Sequence, residues 1–98
     1  MQLERTGSEI TILGNIKSIQ DSASIKNAVG AAIMEGHKKV ALRIKDSFSM
    51  PSAVIGYLMK VVHHDQVQLV VEVGDERLLT LLESLNLETI FGARLHQA

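Results

Sequence analysis

The sequence predicts an α/β domain: a mixed central β-sheet of about four strands, opening with a hairpin and flanked by about three to four α-helices. Two observations carry this prediction. Short segments with strand-like alternation are interleaved with segments of helical spacing, and turn residues rather than long linkers separate them. Interleaved strands and helices in a short chain favour a mostly parallel or mixed sheet. A chain of 98 residues supports one hydrophobic core, so we predict a single domain over residues 1–98.

The beginning of the chain predicts a β-hairpin. Residues 6–8, Thr-Gly-Ser, form the turn between two short segments. In the second segment, Ile10 and Ile12 alternate with polar neighbours, as in a strand with one buried face. Gly14 and Asn15 then end the strand.

A helix and a strand follow the hairpin. Asp21 or Ser22 is a suitable N-cap, Gly36 is a natural end, and apolar residues recur between them at helical spacing, namely Ile25, Val29, Ala32 and Ile33. Residues 38–44 then predict a strand with alternate apolar residues on one face.

The second half of the chain repeats this alternation. A helix is predicted from about residue 50 to residue 64, and residues 67–73 are almost continuously apolar, as in a central strand covered on both faces. Asp75 caps the last predicted helix, whose apolar stripe is Leu78, Leu82 and Leu85. A short tail containing Phe91 follows.

Composition excludes several classes of function. The net charge is −1, the ten lysines and arginines are dispersed, and only three residues are aromatic, so we expect no nucleic-acid surface. The absence of cysteine excludes disulfides, thiolate catalysis and cysteine-ligated zinc, and fits a reducing compartment. The first ten residues carry charges where a signal peptide is apolar, and no run approaches the ~18 apolar residues of a membrane span. We therefore expect a cytoplasmic protein without membrane insertion, metal or cofactor.

The junction after Ile44 is the richest in hydroxyl groups of the three places where a predicted strand runs into a helix. Ser49 is placed to cap the helix, Pro51 suits the first turn, and Ser52 lies in that turn beside the positive end of the helix dipole. Serine and proline are also common at ordinary helix starts, so spacing alone favours a plain capped helix.

Residues 42–58, LRIKDSFSMPSAVIGYL, resemble the centre of STAS domains, the family of anti-sigma factor antagonists and their relatives. In that family a hydrophobic strand and a short polar turn precede Asp-Ser-Ser/Thr-Gly-Leu-Gly at a helix start. Aligned without a gap, the phosphorylated serine of the family falls on Ser52. The other motif positions hold Pro51 at the aspartate, Ala53 at the second hydroxyl, Val54 and Gly56 at the two glycines, and Ile55 at the leucine.

The resemblance extends over nearly the whole chain, since the opening hairpin, the helix of residues 25–34 and residues 70–91 match the family's order and spacing. It implies a binding protein rather than an enzyme. The unphosphorylated form binds a serine/threonine protein kinase or anti-sigma factor, phosphorylation of Ser52 releases it, and a PP2C-type serine phosphatase restores binding. Pro51 departs from the pattern because it removes a carboxylate and one amide beside the serine.

The predicted partner-binding surface lies at the start of this helix and along one of its faces, at Ser49, Met50, Pro51, Ser52, Ala53, Gly56 and Lys60. Gly56 costs a helix interior about 1 kcal/mol relative to alanine. Two explanations stay open: close approach of a partner, or close packing against a neighbouring element of the same chain.

The sequence also bears on three alternatives to this function. An accessory STAS subunit of a membrane transporter complex would use Ser52 as an unmodified contact. A small enzyme is disfavoured, because no cysteine and no cluster of histidine with carboxylates is present. The adjacent residues His63 and His64 point about 100° apart on a helix, so they suit a solvated helix end better than a metal site.

Arg43 and Lys45 flank the junction, where they either dock an acidic partner or are ordinary polar residues of the strand.

Overall fold

Five strands and three helices alternate along the chain in the computed structural model, which describes residues 1–96. The elements are β1 (Gln2–Thr6), β2 (Glu9–Leu13), α1 (Ile19–Met34), β3 (Lys39–Ile44), α2 (Ser52–His63), β4 (Gln68–Val73), α3 (Glu76–Ser84) and β5 (Ala93–Leu95). The predicted α/β class, the opening hairpin and the three helices are confirmed.

The strands form one sheet in the order β1-β2-β3-β4-β5. β1 runs antiparallel to β2, and each later strand runs parallel to the one before it. The sheet is therefore mixed, as predicted, but it has five strands rather than about four.

The additional strand, β5, replaces part of the predicted tail. Its three residues are too few to show a periodicity, and it is recognisable only from its pairing with β4. Phe91, just before it, is fully buried and belongs to the core. Gly92 then takes a positive φ of 56°, and its carbonyl accepts a hydrogen bond from the Val71 amide at 3.2 Å.

All three helices cover the same face of the sheet. The strand register aligns Ile10 with Leu42 and Leu42 with Val71, so the buried residues of the inner strands share one face. The buried residues of the helices join them in a single core. This follows from the strand order, because right-handed crossovers between successive neighbouring strands place each helix on the same side.

Among residues 1–96 no helix covers the other face of the sheet, so the prediction that β4 is covered on both faces is wrong. Within β4 the buried residues alternate with half-buried or exposed ones, and Val70 lies half-buried on the open face. The near-continuous apolar sequence arises because Val70 is apolar although no helix packs on it. We refer to this uncovered side as the open face.

In two of the three helices, α1 and α2, the N-cap position is not held by the predicted residue. For α1 the N-cap is Ser18: its Oγ accepts a hydrogen bond from the Asp21 amide at 3.0 Å, and Asp21 Oδ2 accepts one from the Ser18 amide at 3.2 Å. Asp21 is therefore the third helical residue of a capping box. In α3 the prediction is confirmed, since Asp75 is the N-cap and accepts from the Arg77 amide at 2.9 Å.

Candidate functional site

The candidate site lies at the carboxyl end of β3, where residues 45–51 lead into α2. The helix begins at Ser52 rather than near Met50, and Pro51 occupies the N-cap position with an extended backbone (φ −60°, ψ 146°). A residue that precedes proline is disfavoured in the helical region, so Met50 cannot start the helix. Ser49 is consequently too early to be the cap, and no side chain among residues 1–96 caps α2.

The three serines of this segment differ in accessibility. Ser47 is fully buried, Ser49 is half-buried, and Ser52 is exposed. The Ser47 hydroxyl donates to the Ser49 carbonyl at 2.7 Å and accepts from the Ile16 amide at 3.2 Å. Of the three hydroxyls, that of Ser52 is the one on a residue open to a modifying enzyme.

The β2–α1 loop holds the segment before Ser52 from one side. Besides the Ser47 contact, Asp46 Oδ1 accepts a hydrogen bond from the Gly14 amide, at 2.6 Å. In the reverse direction the Phe48 amide donates to Asn15 Oδ1 at 3.3 Å. The two loops are thus joined by side-chain to backbone hydrogen bonds that run both ways.

The β4–α3 loop contacts the same segment from the other side. The Gly74 amide donates to the Ile44 carbonyl at 2.8 Å, and a Cβ on Gly74 would collide with the Lys45 carbonyl. The Arg77 guanidinium lies over the Phe48 ring, 4.8 Å from its centroid. Residues 45–51 are therefore fixed by the loops on both sides.

The sequence-predicted surface residues divide into two groups. Ser52, Ala53, Gly56 and Lys60 are exposed on one side of α2, while Val54, Leu58 and Val61 are buried on the other. Met50 is only 5% exposed and packs in the core, so we correct the prediction and remove it from the partner-binding surface. A Cβ built on Gly56 meets no atom within 4 Å, so packing against another described element does not explain this glycine.

The exposed side of α2 carries no negative charge of its own. Residues 52–64 contain no aspartate or glutamate, and the cationic residue among them is Lys60, with His63 and His64 at the helix end. Met59 is also exposed there. The surface thus has small residues near Ser52, and Met59 and the basic side chains lie toward the far end of the helix.

The open face of the sheet is chemically different, because five of its charged residues form one network of ion pairs. Arg43 contacts Glu9 at 3.0 Å and Glu72 at 3.2 Å, so its role is within the sheet rather than at the junction. Arg94 and His96 also contact Glu72, at 3.5 and 3.3 Å. Burial raises the pKa of Glu72, but the hydrogen bonds from His96 and Arg43 and the nearby positive charges outweigh it and lower that pKa overall.

A shallow hollow of about 310 Å³ lies on this open face, above Ala41 and Val70. Glu9, Arg43, Glu72 and Arg94 of its wall belong to the same ion-pair network, whereas Lys39 has no ion pair among residues 1–96. Over residues 1–96, no group of three histidine, aspartate or glutamate side chains is arranged to hold a metal ion. Nor is any helix in that range long and apolar enough to cross a membrane.

Comparison of the chain with protein-family models, curated proteins and solved structures finds no match in any of the three.

Sequence reasoning missed the residues that surround the segment before Ser52. Asn15 and Phe48 are 33 positions apart, and Arg77 lies a further 29 positions along the chain. The composition of the loops offers one signal, since an aromatic residue in a polar loop is unusual. The pairing itself depends on the strand order, which brings three loops to one end of the sheet.

Proposed function

We propose that this protein is a cytoplasmic partner-switching regulator that acts without a cofactor. In its unphosphorylated form it binds a serine/threonine protein kinase or anti-sigma factor through the exposed side of α2. Phosphorylation of Ser52 releases the partner, and a PP2C-type serine phosphatase restores binding. The observation that carries the proposal is the position of Ser52, an exposed serine at the first residue of α2.

The resemblance to STAS domains supplies the rest of the proposal. The elements on which that resemblance was based, from the opening hairpin to α3, occur in the expected order. Pro51 in place of the family's aspartate leaves the serine without an adjacent carboxylate, so we expect the cognate kinase to recognise the surrounding shape instead.

The electrostatics of α2 suit a phosphate that acts on binding and not on folding. Ser52 lies at the positive end of the helix dipole, and α2 contains no acidic residue to repel the phosphate. In an interface the same phosphate must lose its water without gaining a prepared cation. Partner release therefore follows from desolvation and repulsion, while the free protein keeps its fold.

The test compares Ser52→Ala and Ser52→Asp as baits in affinity capture from the native host, followed by calorimetry with the captured partner. We expect Ser52→Ala to bind like the unphosphorylated protein and Ser52→Asp to bind at least about tenfold more weakly, since a lost charged contact costs ~2–5 kcal/mol. The thermal stability of Ser52→Asp should change by less than about 1 kcal/mol.

Ser24→Asp is the matched control, because Ser24 is an exposed serine of α1 and should affect neither property. Phosphate mapped to Ser49, or equal affinity of both Ser52 variants, contradicts the proposal.

Pro51 also favours a second candidate, an accessory STAS subunit of a membrane transporter complex, in which Ser52 is an unmodified contact. Capture of a transport ATPase by wild-type protein, together with unphosphorylated Ser52 in the host, would support this alternative.

A further inference from the structure

We propose that Phe48 is the anchor of the partner-binding surface and that the partner presents an apolar pocket bordered by acidic side chains. The identity of the partner rests on the proposed function. The position of the anchor rests on the contacts around Phe48.

Phe48 is exposed without being loosely held. It is 45% exposed, whereas the other phenylalanine, Phe91, is fully buried. Its backbone amide donates to Asn15, and the Arg77 guanidinium lies over its ring. Arg77 is itself oriented by Asp75, with Nε to Oδ1 at 3.1 Å and Nη2 to Oδ2 at 2.7 Å.

These contacts hold the backbone of Phe48 and restrain its ring before any partner binds. Holding an interface side chain in place in advance lowers the entropy lost on association. Aromatic side chains that enter a desolvated pocket are also the residues whose truncation most often weakens a complex. The core does not require this ring, so its ordered exposure indicates a surface made for contact.

The charge of the neighbouring helix indicates the chemistry of the partner. Asp75 compensates Arg77, whereas Lys45 beside the junction and Lys60 on α2 are exposed lysines without an ion pair among residues 1–96. A partner with acidic residues around an apolar pocket complements both Phe48 and Lys60. The same acidic residues would repel a phosphate on Ser52, so one partner surface accounts for binding and for release.

Site-specific photo-crosslinking in the native host tests this inference. A benzoyl-substituted phenylalanine replaces Phe48, Lys60 or Met34 in turn, each with and without Ser52→Asp. Met34 is the control, since it is 88% exposed and ends α1 at the opposite end of the sheet. We expect one protein to be crosslinked from positions 48 and 60, nothing from position 34, and loss of both crosslinks with Ser52→Asp.

The other outcomes separate this inference from the proposed function. A crosslink from position 60 without one from position 48 overturns the anchor and leaves the switch standing. Crosslinks from position 48 that persist with Ser52→Asp support the anchor and contradict the switch. Absence of crosslinks from both positions contradicts the two proposals together.

Once crosslinking has identified the partner, its affinity for variants of this protein can be measured. We expect Phe48→Ala to weaken binding by at least about tenfold. Its thermal midpoint should shift by about 4 °C or less, because the ring is exposed. Met34→Ala should leave the affinity unchanged, and unchanged affinity for Phe48→Ala would overturn the inference.

Discussion

Neither the open face of the sheet nor the exposed side of α2 is covered by another element within residues 1–96, yet the two surfaces differ in how far their own residues satisfy one another. On the open face, Arg43 lies between Glu9 and Glu72, and Arg94 and His96 add to the same cluster. The α2 side has a helix start without a side-chain cap, a glycine with empty space beside it, and an aromatic ring held in the open by polar contacts.

The difference indicates that the residues of the open face stabilise the fold, whereas the features around Ser52 do not. Ion pairs that satisfy each other let a sheet face meet water without a partner. The features around Ser52 each carry a cost or leave apolar area exposed, and no described element of the chain compensates for them. Such features are typical of a binding surface.

The largest effect on stability is expected on the open face. Arg43→Ala leaves Glu72 without one of its hydrogen-bond donors, and we expect the free energy of unfolding to fall by about 1–2 kcal/mol, between a surface pair and a buried one. Urea unfolding of wild type and Arg43→Ala measures this change in the free energy of unfolding. Lys39→Ala is the control, because Lys39 lies on the same face of β3 and has no ion pair within residues 1–96; a loss as large as that of Arg43→Ala would show that the network is unimportant.

The acid sensitivity of the two surfaces should also differ. The lowered pKa of Glu72 means that its stabilising contribution is complete above about pH 4.5, its ordinary value, and is lost as the pH falls through the lower folded value. Glu72→Gln should therefore flatten the decline of the unfolding free energy on acidification. Ser52→Ala should leave that decline unchanged, and identical pH profiles for wild type and Glu72→Gln would contradict the assignment.

The smallest effect is expected at Gly56 and has the opposite sign. Gly56→Ala should raise the free energy of unfolding by about 0.5–1 kcal/mol, because a Cβ there meets no atom and alanine favours the helix. The same substitution should weaken partner binding if a partner approaches this position closely. Gly30→Ala in α1 is the matched control, since its Cβ would be at ordinary contact distance, 3.6 Å, from the Tyr57 hydroxyl. A destabilised Gly56→Ala would show that the glycine serves the fold.

Much of the architecture was predictable because it depends on local patterns. The alternation of Ile10 and Ile12, the apolar stripe of α3 and the cap at Asp75 follow from periodicity and capping chemistry, which act over a few residues. The exposed Ser52 at a helix start was equally a local prediction. Its phosphorylation and its partners remain predictions.

The sequence by itself determined the α/β class, the alternation of strands and helices and the place of the serine-rich junction. The tertiary structure decided which strands are neighbours, and therefore that all helices share one face and Val70 lies on the other. It also decided that Ser47 and Met50 are buried, while Phe48 is held open by Asn15 and Arg77. These facts depend on contacts between residues some 30 positions apart. Such contacts cannot be predicted from spacing along the chain, because they form only where the strand order brings the loops together.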